Sequence, residues 1–197
     1  MRLIRCLAAF ALGLMIVAAT PAWAIDAVSV RGDVSAIDLT AVLEHQHSDS
    51  DRIQVSTAPG TDGIVRRIEV RAREGGQNWV VFALANNTDD QLDRLIVAPH
   101  YRIVSSGLLW PDLGLSRIAT ITPSTGDRPE RQESATADIF RITLDPGSVV
   151  TYVLELRTDK LPQLYLWEPD AYKDKVNTCR NGNNHSSSSK VSSSINI

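Results

Sequence analysis

The sequence predicts an all-β fold, specifically a jelly-roll-like antiparallel β-sandwich with one short N-terminal helix. Three observations support this prediction. Short apolar runs alternate with polar residues along most of the chain, turn residues divide these runs, and one early segment alone has a helical pattern. With 197 residues, the chain is long enough for one domain with a proper core.

The first 24 residues have the composition of a secretory signal peptide. Arg2 and Arg5 precede an apolar run over residues 6–19, and the segment closes with the small-x-small triplet of residues 22–24. The apolar run is shorter than the ~20 residues that a membrane span needs. The alternative is a buried N-terminal helix. We predict cleavage after Ala24 and a periplasmic or secreted mature protein.

Intact-mass analysis of the exported protein is expected to show Ile25 as the first residue, because the small-x-small triplet marks the cleavage site. Retention of Met1 in a stably folded cytoplasmic form would contradict this prediction.

The elements of the body, residues 25–176, follow in order. A short helix is predicted where Asp38 or Thr40 can cap residues 41–44, and no other segment favours a long helix. Period-two alternation predicts strands over residues 67–71, 140–144 and 150–157. Residues 92–98 have an extended pattern, and strands are also expected over residues 52–56, 117–122 and 163–167. The Asp-Pro-Gly-Ser run at residues 145–148 predicts a hairpin turn between two of these strands.

The run of residues 79–85 is apolar at successive positions, so both of its faces favour burial. It is predicted to be a central strand, with Trp79 in the core and not at a ligand. The Asn86-Asn87-Thr88 triplet that follows matches a glycosylation acceptor, but it is more simply a turn.

Charge and cysteine content exclude several classes of protein. The net charge is −3, and acidic and basic residues are interspersed, so nucleic acid is not an expected partner. No second long apolar run follows the signal, so the sequence predicts no later membrane helix. Cys6 leaves with the signal and Cys179 lies in a polar tail, so the mature chain has no internal disulfide. This tail, residues 177–197, is predicted to be disordered, either natively or as an out-of-frame product.

Two groups of residues are candidates for binding. His45, His47, Asp49 and Asp51 stand at alternate positions, so in an extended segment they share one face and could hold a transition metal. The alternative is a solvated polar loop, which the absence of defined zinc-ligand spacing favours.

The second group consists of aromatic residues that could stack on a sugar. Trp110 and Tyr101, with Asp112 in the loop after Trp110, are the predicted ligand contacts, and Tyr165 and Trp167 could extend the platform.

Catalytic motifs are missing from the sequence, which has no Gly-x-Ser-x-Gly elbow, His-Glu-x-x-His pair or Walker loop. His100 could act as a base, but a lone histidine at a strand end is more often structural. We predict no catalytic residue and no cofactor, and therefore a non-enzymatic protein.

The body resembles the extracellular region of seven-transmembrane receptors with diverse intracellular signalling modules, and related periplasmic sensors of cyclic-di-GMP enzymes. The similarity is carried by Trp79 within residues 78–86 and by residues 37–40, 92–97, 145–147 and 164–172, the last containing Leu-Trp-Glu-Pro. The resemblance implies a jelly roll that senses a small molecule or carbohydrate, attached to the inner membrane through helices that lead to GGDEF or EAL modules.

In this sequence the polar tail stands where the first membrane helix of such a receptor would begin. The first interpretation is therefore a periplasmic sensor domain without its membrane and output modules. The alternative is a free-standing exported carbohydrate-binding or accessory protein, and a third class is a secreted hydrolase. The ligand and the oligomeric state are not predicted.

Overall fold

The structure, a computed structural model, describes residues 24–103, 109–111 and 116–186, with side chains placed for residues 24–100 and 116–178. The predicted signal segment lies almost entirely outside the described residues. The described strands are β1 (Ala27–Val30), β2 (Ala36–Asp38), β3 (Glu44–His47), β4 (Arg52–Ser56), β5 (Arg67–Arg71), β6 (Asn78–Asn86), β7 (Leu92–Pro99), β8 (Tyr101–Ile103), β9 (Leu109–Pro111), β10 (Ile118–Pro123), β11 (Glu130–Gln132), β12 (Ala137–Leu144), β13 (Val149–Leu156) and β14 (Tyr165–Trp167).

Two five-stranded sheets form the sandwich, which confirms the predicted all-β class. Sheet A has the order β1-β6-β13-β10, and β3 also pairs with β6. Sheet B has the order β11-β12-β7-β14-β2, while β4-β5 and β8-β9 form separate hairpins. All described pairings are antiparallel except that between β1 and β6.

Three apolar clusters hold these layers together. The largest lies between the sheets, where Phe82 of β6 stacks on Tyr152 of β13 with ring centroids 5.5 Å apart. The second lies between sheet A and the β4-β5 hairpin, and it contains Trp79. The third covers the outer face of sheet B. Because β6 contributes to the first two clusters, both of its faces are buried, as predicted.

The turn at residues 145–148 has the predicted chemistry but a different role. Gly147 adopts a φ of 66°, and the Ser148 N–H donates to the Asp145 carbonyl over 3.1 Å. The prediction of a hairpin was wrong, however, because β12 pairs with β7 in sheet B while β13 pairs with β6 in sheet A. The turn is an arch between the two sheets. A local turn signal cannot distinguish an arch from a hairpin, since strand pairing depends on distant residues.

Asn86 joins this arch to the one between β6 and β7. Its side-chain Nδ2 donates to the carbonyls of Asp90, Leu144 and Asp145 over 2.8, 3.0 and 3.1 Å, and the residue is fully buried. The Asn86 sequon therefore serves as a turn, and its amide is inaccessible to a glycan in the folded protein.

The predicted early helix is present as a 3-10 turn at Thr40–Val42, where the Thr40 N–H donates to Asp38 Oδ1 over 2.8 Å. The expectation of no long helix was wrong, because helix α1 spans Pro169–Ser186. A proline in the first turn suits a helix start, but the helix is so polar that its apolar face gives little signal. No described helix is both long and apolar enough to cross a membrane.

Helix α1 extends beyond Val176 into the segment predicted to be a disordered tail, and residues 187–197 lie outside the described residues. The side chains of α1 that line the apolar cavity beside sheet B are those of Tyr172, Lys175 and Val176, all before the tail begins. Asn177, the first residue of the predicted tail, borders a neighbouring cleft with Leu95 and Arg141.

A chain ending at Val176 is therefore expected to match the full mature chain in melting temperature and circular dichroism of the sheets. Limited trypsin digestion should remove the tail first, because exposed termini are cut most readily. A fall of several degrees on deletion, or protection of Arg180 and Lys190, would show that the tail stabilises the fold.

Candidate functional site

One end of the sandwich carries a polar cleft at the point where β7 ends and the β8-β9 hairpin begins. The cleft has a volume of about 490 Å³. We call it the His100 cleft, and it is lined by His100, Ser116, Arg131, Ala137, Asp138 and residues 132–135. It draws these side chains from the ends of β7, β10, β11 and β12, which meet here because the sheets pack face to face.

Asp138 is the buried acid of the cleft, with 3% of its surface exposed. Its position in β12 faces inward, in phase with Phe140 and Ile142. Its carboxylate accepts hydrogen bonds from the N–H groups of Arg117 and Ile118 over 2.6 and 3.0 Å. A buried charge needs such partners, and these bonds fix the start of β10 to sheet B.

Arg131 compensates the charge of Asp138. Its Nη1 lies 3.5 Å from Asp138 Oδ1 and 3.3 Å from the Ser116 hydroxyl, which itself donates to Asp138 over 2.7 Å. Its guanidinium lies 4.8 Å from the centre of the Phe140 ring and also donates to the Ile118 carbonyl. The guanidinium is thus held by several partners, which preorganises one wall of the cleft.

His100 is the least satisfied group in this part of the molecule. Its side chain is 10% exposed, and its Nε2 lies 3.5 Å from Asp138 Oδ1. Within the described structure, neither ring nitrogen has a hydrogen-bond partner, although both are buried. Buried polar atoms are normally paired. The two ring nitrogens thus lie buried beside the Asp138 carboxylate without a hydrogen bond.

The β8-β9 hairpin follows His100 directly and carries two of the predicted ligand contacts. In its register, Tyr101 pairs with Pro111 and Arg102 pairs with Trp110. The backbone thus brings Tyr101 and Trp110 into neighbouring strands beside the His100 cleft. Asp112 lies outside the described residues.

The other two aromatic residues of the predicted sugar platform lie elsewhere. Tyr165 and Trp167 belong to β14, and Trp167 meets the ring of Tyr172 on α1 edge-on at 5.9 Å. They line a separate cavity on the outer face of sheet B and do not extend the His100 cleft.

The predicted metal ligands are close in sequence, and the described structure gives several of them other partners. The ring of His47 bonds through Nδ1 to Asn78 Oδ1 at 2.8 Å and through Nε2 to Asp49 at 3.3 Å. The Asn78 bond raises the pKa of His47 above its usual value.

Asp51 accepts a hydrogen bond from Arg71 Nε over 2.8 Å, and His45 stands exposed in β3 opposite Val80. Across the described residues, no three or more His, Cys, Asp or Glu side chains are grouped so that they could hold a metal ion. Metal binding by these four residues stays a prediction, which a zinc titration would test.

A second polar cleft, of about 450 Å³, lies between the β4-β5 hairpin and sheet A. Several of its hydroxyls already have internal partners. Thr57 Oγ1 accepts from the Arg66 N–H over 3.0 Å, Ser124 Oγ accepts from the Thr151 N–H over 2.9 Å, and the Ser148 hydroxyl donates to Asp145 over 2.7 Å. These bonds shape the fold, and none of the described residues that line this cleft has a buried side-chain polar atom without a hydrogen bond, as His100 has.

Sequence reasoning missed Arg131 and Asp138. A usable signal for Asp138 was present, because its inward position in an apolar strand places a carboxylate where only a paired charge is stable. Arg131 carried no comparable signal, since its partners come from residues 116–118 and from Phe140 on separate strands.

Comparison with known families adds independent information. Residues 73–168, just under half of the chain, match the family model described as 7TMR-DISM extracellular 2. The domains of that family are non-catalytic periplasmic domains of seven-transmembrane receptors. The matched region contains the whole His100 cleft and the β8-β9 hairpin. No curated protein and no solved structure was found to match the chain.

Proposed function

We propose that this chain is the periplasmic ligand-sensing domain of a transmembrane receptor of the cyclic-di-GMP type. The observation that carries the proposal is the match of residues 73–168 to a receptor extracellular domain. The sandwich fold and the sequence resemblance to GGDEF- and EAL-linked sensors support the same interpretation.

The proposed ligand site is the His100 cleft together with the β8-β9 hairpin. A polar small molecule or carbohydrate suits this end of the sandwich, because sugars present hydroxyls that both donate and accept. His100 supplies unpaired ring nitrogens and Arg131 a fixed cation. Tyr101, Trp110 and Asp112 would complete the site from the hairpin and the loop after it.

Sensing requires that ligand binding change the structure of another part of the domain. His100 directly follows β7 and Asp138 belongs to β12, and these paired strands carry helix α1 on their outer face. A ligand that bonds to His100 would act on the same two strands. Only the strand pair β7-β12 therefore lies between the ligand site and helix α1.

The site is tested by thermal-shift measurements on the mature protein with a panel of soluble mono- and disaccharides. A ligand present at about 100 times its Kd adds ~2.7 kcal/mol of stability, which raises the melting temperature by several degrees. His100→Leu and Trp110→Ala are expected to abolish the shift. His45→Leu, a matched change at an exposed histidine, should leave it intact. Shifts that persist in both cleft variants would place the ligand elsewhere.

The receptor part of the proposal is tested by the coding DNA downstream of codon 176. Frames that encode several apolar spans followed by a GGDEF or EAL module would support a receptor. Their absence would favour the alternative of a free-standing exported carbohydrate-binding protein, and it would leave the thermal-shift result unaffected.

A further inference from the structure

A small apolar cavity lies between helix α1 and the outer face of sheet B, with a volume of about 250 Å³. We call it the α1 pocket. It is lined by Val97, Pro99, Thr136, Ala137, Tyr165, Trp167, Tyr172, Lys175 and Val176. It lies on the outer face of sheet B, where Val97 and Ala137 alternate with the inward-facing Ala98 and Asp138, and it shares only Ala137 with the lining of the His100 cleft.

The cavity exists because small side chains face large ones. Val97 and Ala137 line the sheet side of the pocket and belong to the apolar cluster on the outer face of sheet B, which α1 covers through the contact of Tyr172 with Trp167. The short side chain of Ala137 leaves space beneath the helix. Polar residues dominate the rest of α1, so this contact is where the helix is held to the sheet.

The chemistry of the lining identifies the class of ligand. Three aromatic side chains border the pocket, and Lys175 is the one charged residue among the lining side chains, all of which the structure describes. Its Nζ lies 4.5 Å from the centre of the Trp167 ring. An apolar cavity of about 150 Å³ binds benzene, so this pocket has room for one ring with a short side chain.

We infer that the α1 pocket binds a small organic acid that carries one ring, with the ring against Trp167 and Tyr172 and the carboxylate on Lys175. The ammonium group would exchange its contact with the Trp167 ring for an ion pair with the acid. Because Tyr172, Lys175 and Val176 all belong to α1, a bound acid would hold the helix against sheet B. The inference rests on the proposed function only for the consequence that a receptor would read this helix position.

Isothermal titration calorimetry of the mature protein, residues 25–197, tests the binding. Phenylacetate is the probe, phenylacetamide is its uncharged counterpart, and acetate lacks the ring. Saturable binding is expected for phenylacetate, weaker binding for phenylacetamide and none for acetate. Absence of saturable heat with phenylacetate overturns the inference, while the receptor test by coding DNA is independent of this result.

Matched variants locate the binding site. Lys175→Met keeps the apolar stem and removes the charge, so phenylacetate should bind about threefold to fivefold more weakly while phenylacetamide is unchanged. Lys173→Met removes an exposed lysine of the same helix outside the pocket and should change neither affinity by as much as twofold. Equal effects from the two lysine variants would overturn the inference.

Filling the cavity gives a second, independent test. Ala137→Leu and Val97→Phe each place a larger side chain in the pocket, and each should abolish binding of both ring-containing probes. Val97 does not border the His100 cleft, so its variant assigns the loss to the α1 pocket. Thermal melts of both variants verify that they are folded. If folded Ala137→Leu binds phenylacetate with unchanged affinity, the α1 pocket is not the site. The lysine variants keep the inference testable even if the leucine distorts the helix.

Discussion

Replacing Trp79 with alanine is expected to lower the free energy of unfolding by about 3–5 kcal/mol, the cost of removing a large aromatic side chain from a packed core. Trp79 is 1% exposed and lies in the cluster between sheet A and the β4-β5 hairpin. Its neighbours there include Ile53, Val70 and Val153. The truncation leaves a cavity beneath the hairpin, which a two-stranded layer can close only by shifting its own backbone.

Urea denaturation and thermal melts measure this effect. Trp110→Ala is the comparison, because the β8-β9 hairpin carrying Trp110 is predicted to serve the ligand, and this variant should melt near wild type. Trp79→Phe is the conservative control. Trp79 Nε1 has no hydrogen-bond partner among the described residues, so phenylalanine loses volume without stranding an acceptor and should cost less than alanine. Equal, small effects from Trp79→Ala and Trp110→Ala would contradict the core assignment.

The central strand was predictable because its signal is local. Residues 79–85 are apolar at every position, and a strand with this composition is stable only when both faces are covered. The structure supplies the two covers, sheet B on one side and the β4-β5 hairpin on the other. Strand alternation at Ile68 and Val70 was visible for the same reason.

The arch at residues 145–148 was mistaken for a hairpin because its pairing is not local. Pro146 and Gly147 specify how the chain turns, not which strands it joins. β12 lies in sheet B because it pairs with β7, and β13 lies in sheet A because it pairs with β6; both partners are distant in sequence. The side chain of Asn86 secures this arrangement by bonding to both arches.

The candidate site shows the same limit. The aromatic residues of the β8-β9 hairpin stood out in the sequence, and so did His100 next to them. His100 is informative because both of its ring nitrogens are buried beside Asp138 without a hydrogen bond. Residues far along the chain create that environment. Sequence alone could name the histidine, but it could not separate an ordinary structural histidine from one whose buried ring nitrogens lack hydrogen bonds.

Replacing Glu155 with alanine is expected to lower the free energy of unfolding by about 3 kcal/mol, because a hydrogen bond to a charged group contributes about 1.5–3 kcal/mol and this carboxylate accepts three. Glu155 is fully buried in β13. Its carboxylate accepts hydrogen bonds from the N–H groups of Arg73, Glu74 and Gly76 over 2.8, 3.0 and 2.9 Å. The loop approaches so closely that a Cβ on Gly76 would lie 2.8 Å from the Leu156 carbonyl. The carboxylate thus holds the loop that leads into the central strand β6.

The matched control is Glu74→Ala in the same loop. Arg157 donates two 2.7 Å hydrogen bonds to Glu74, which lower the pKa of that carboxyl below its usual range. Both side chains of this pair are more than 40% exposed. Because solvent screens the pair, removing it should lower the free energy of unfolding by about 1 kcal/mol or less. Urea denaturation at pH 7 compares the variants, and hydrogen exchange of the Arg73, Glu74 and Gly76 amides reports on the loop itself. Glu155→Gln, which keeps the shape and one acceptor oxygen, should fall between the two alanine variants. If Glu155→Ala and Glu74→Ala cost the same, or if the three amides keep their protection without Glu155, the carboxylate does not anchor this loop.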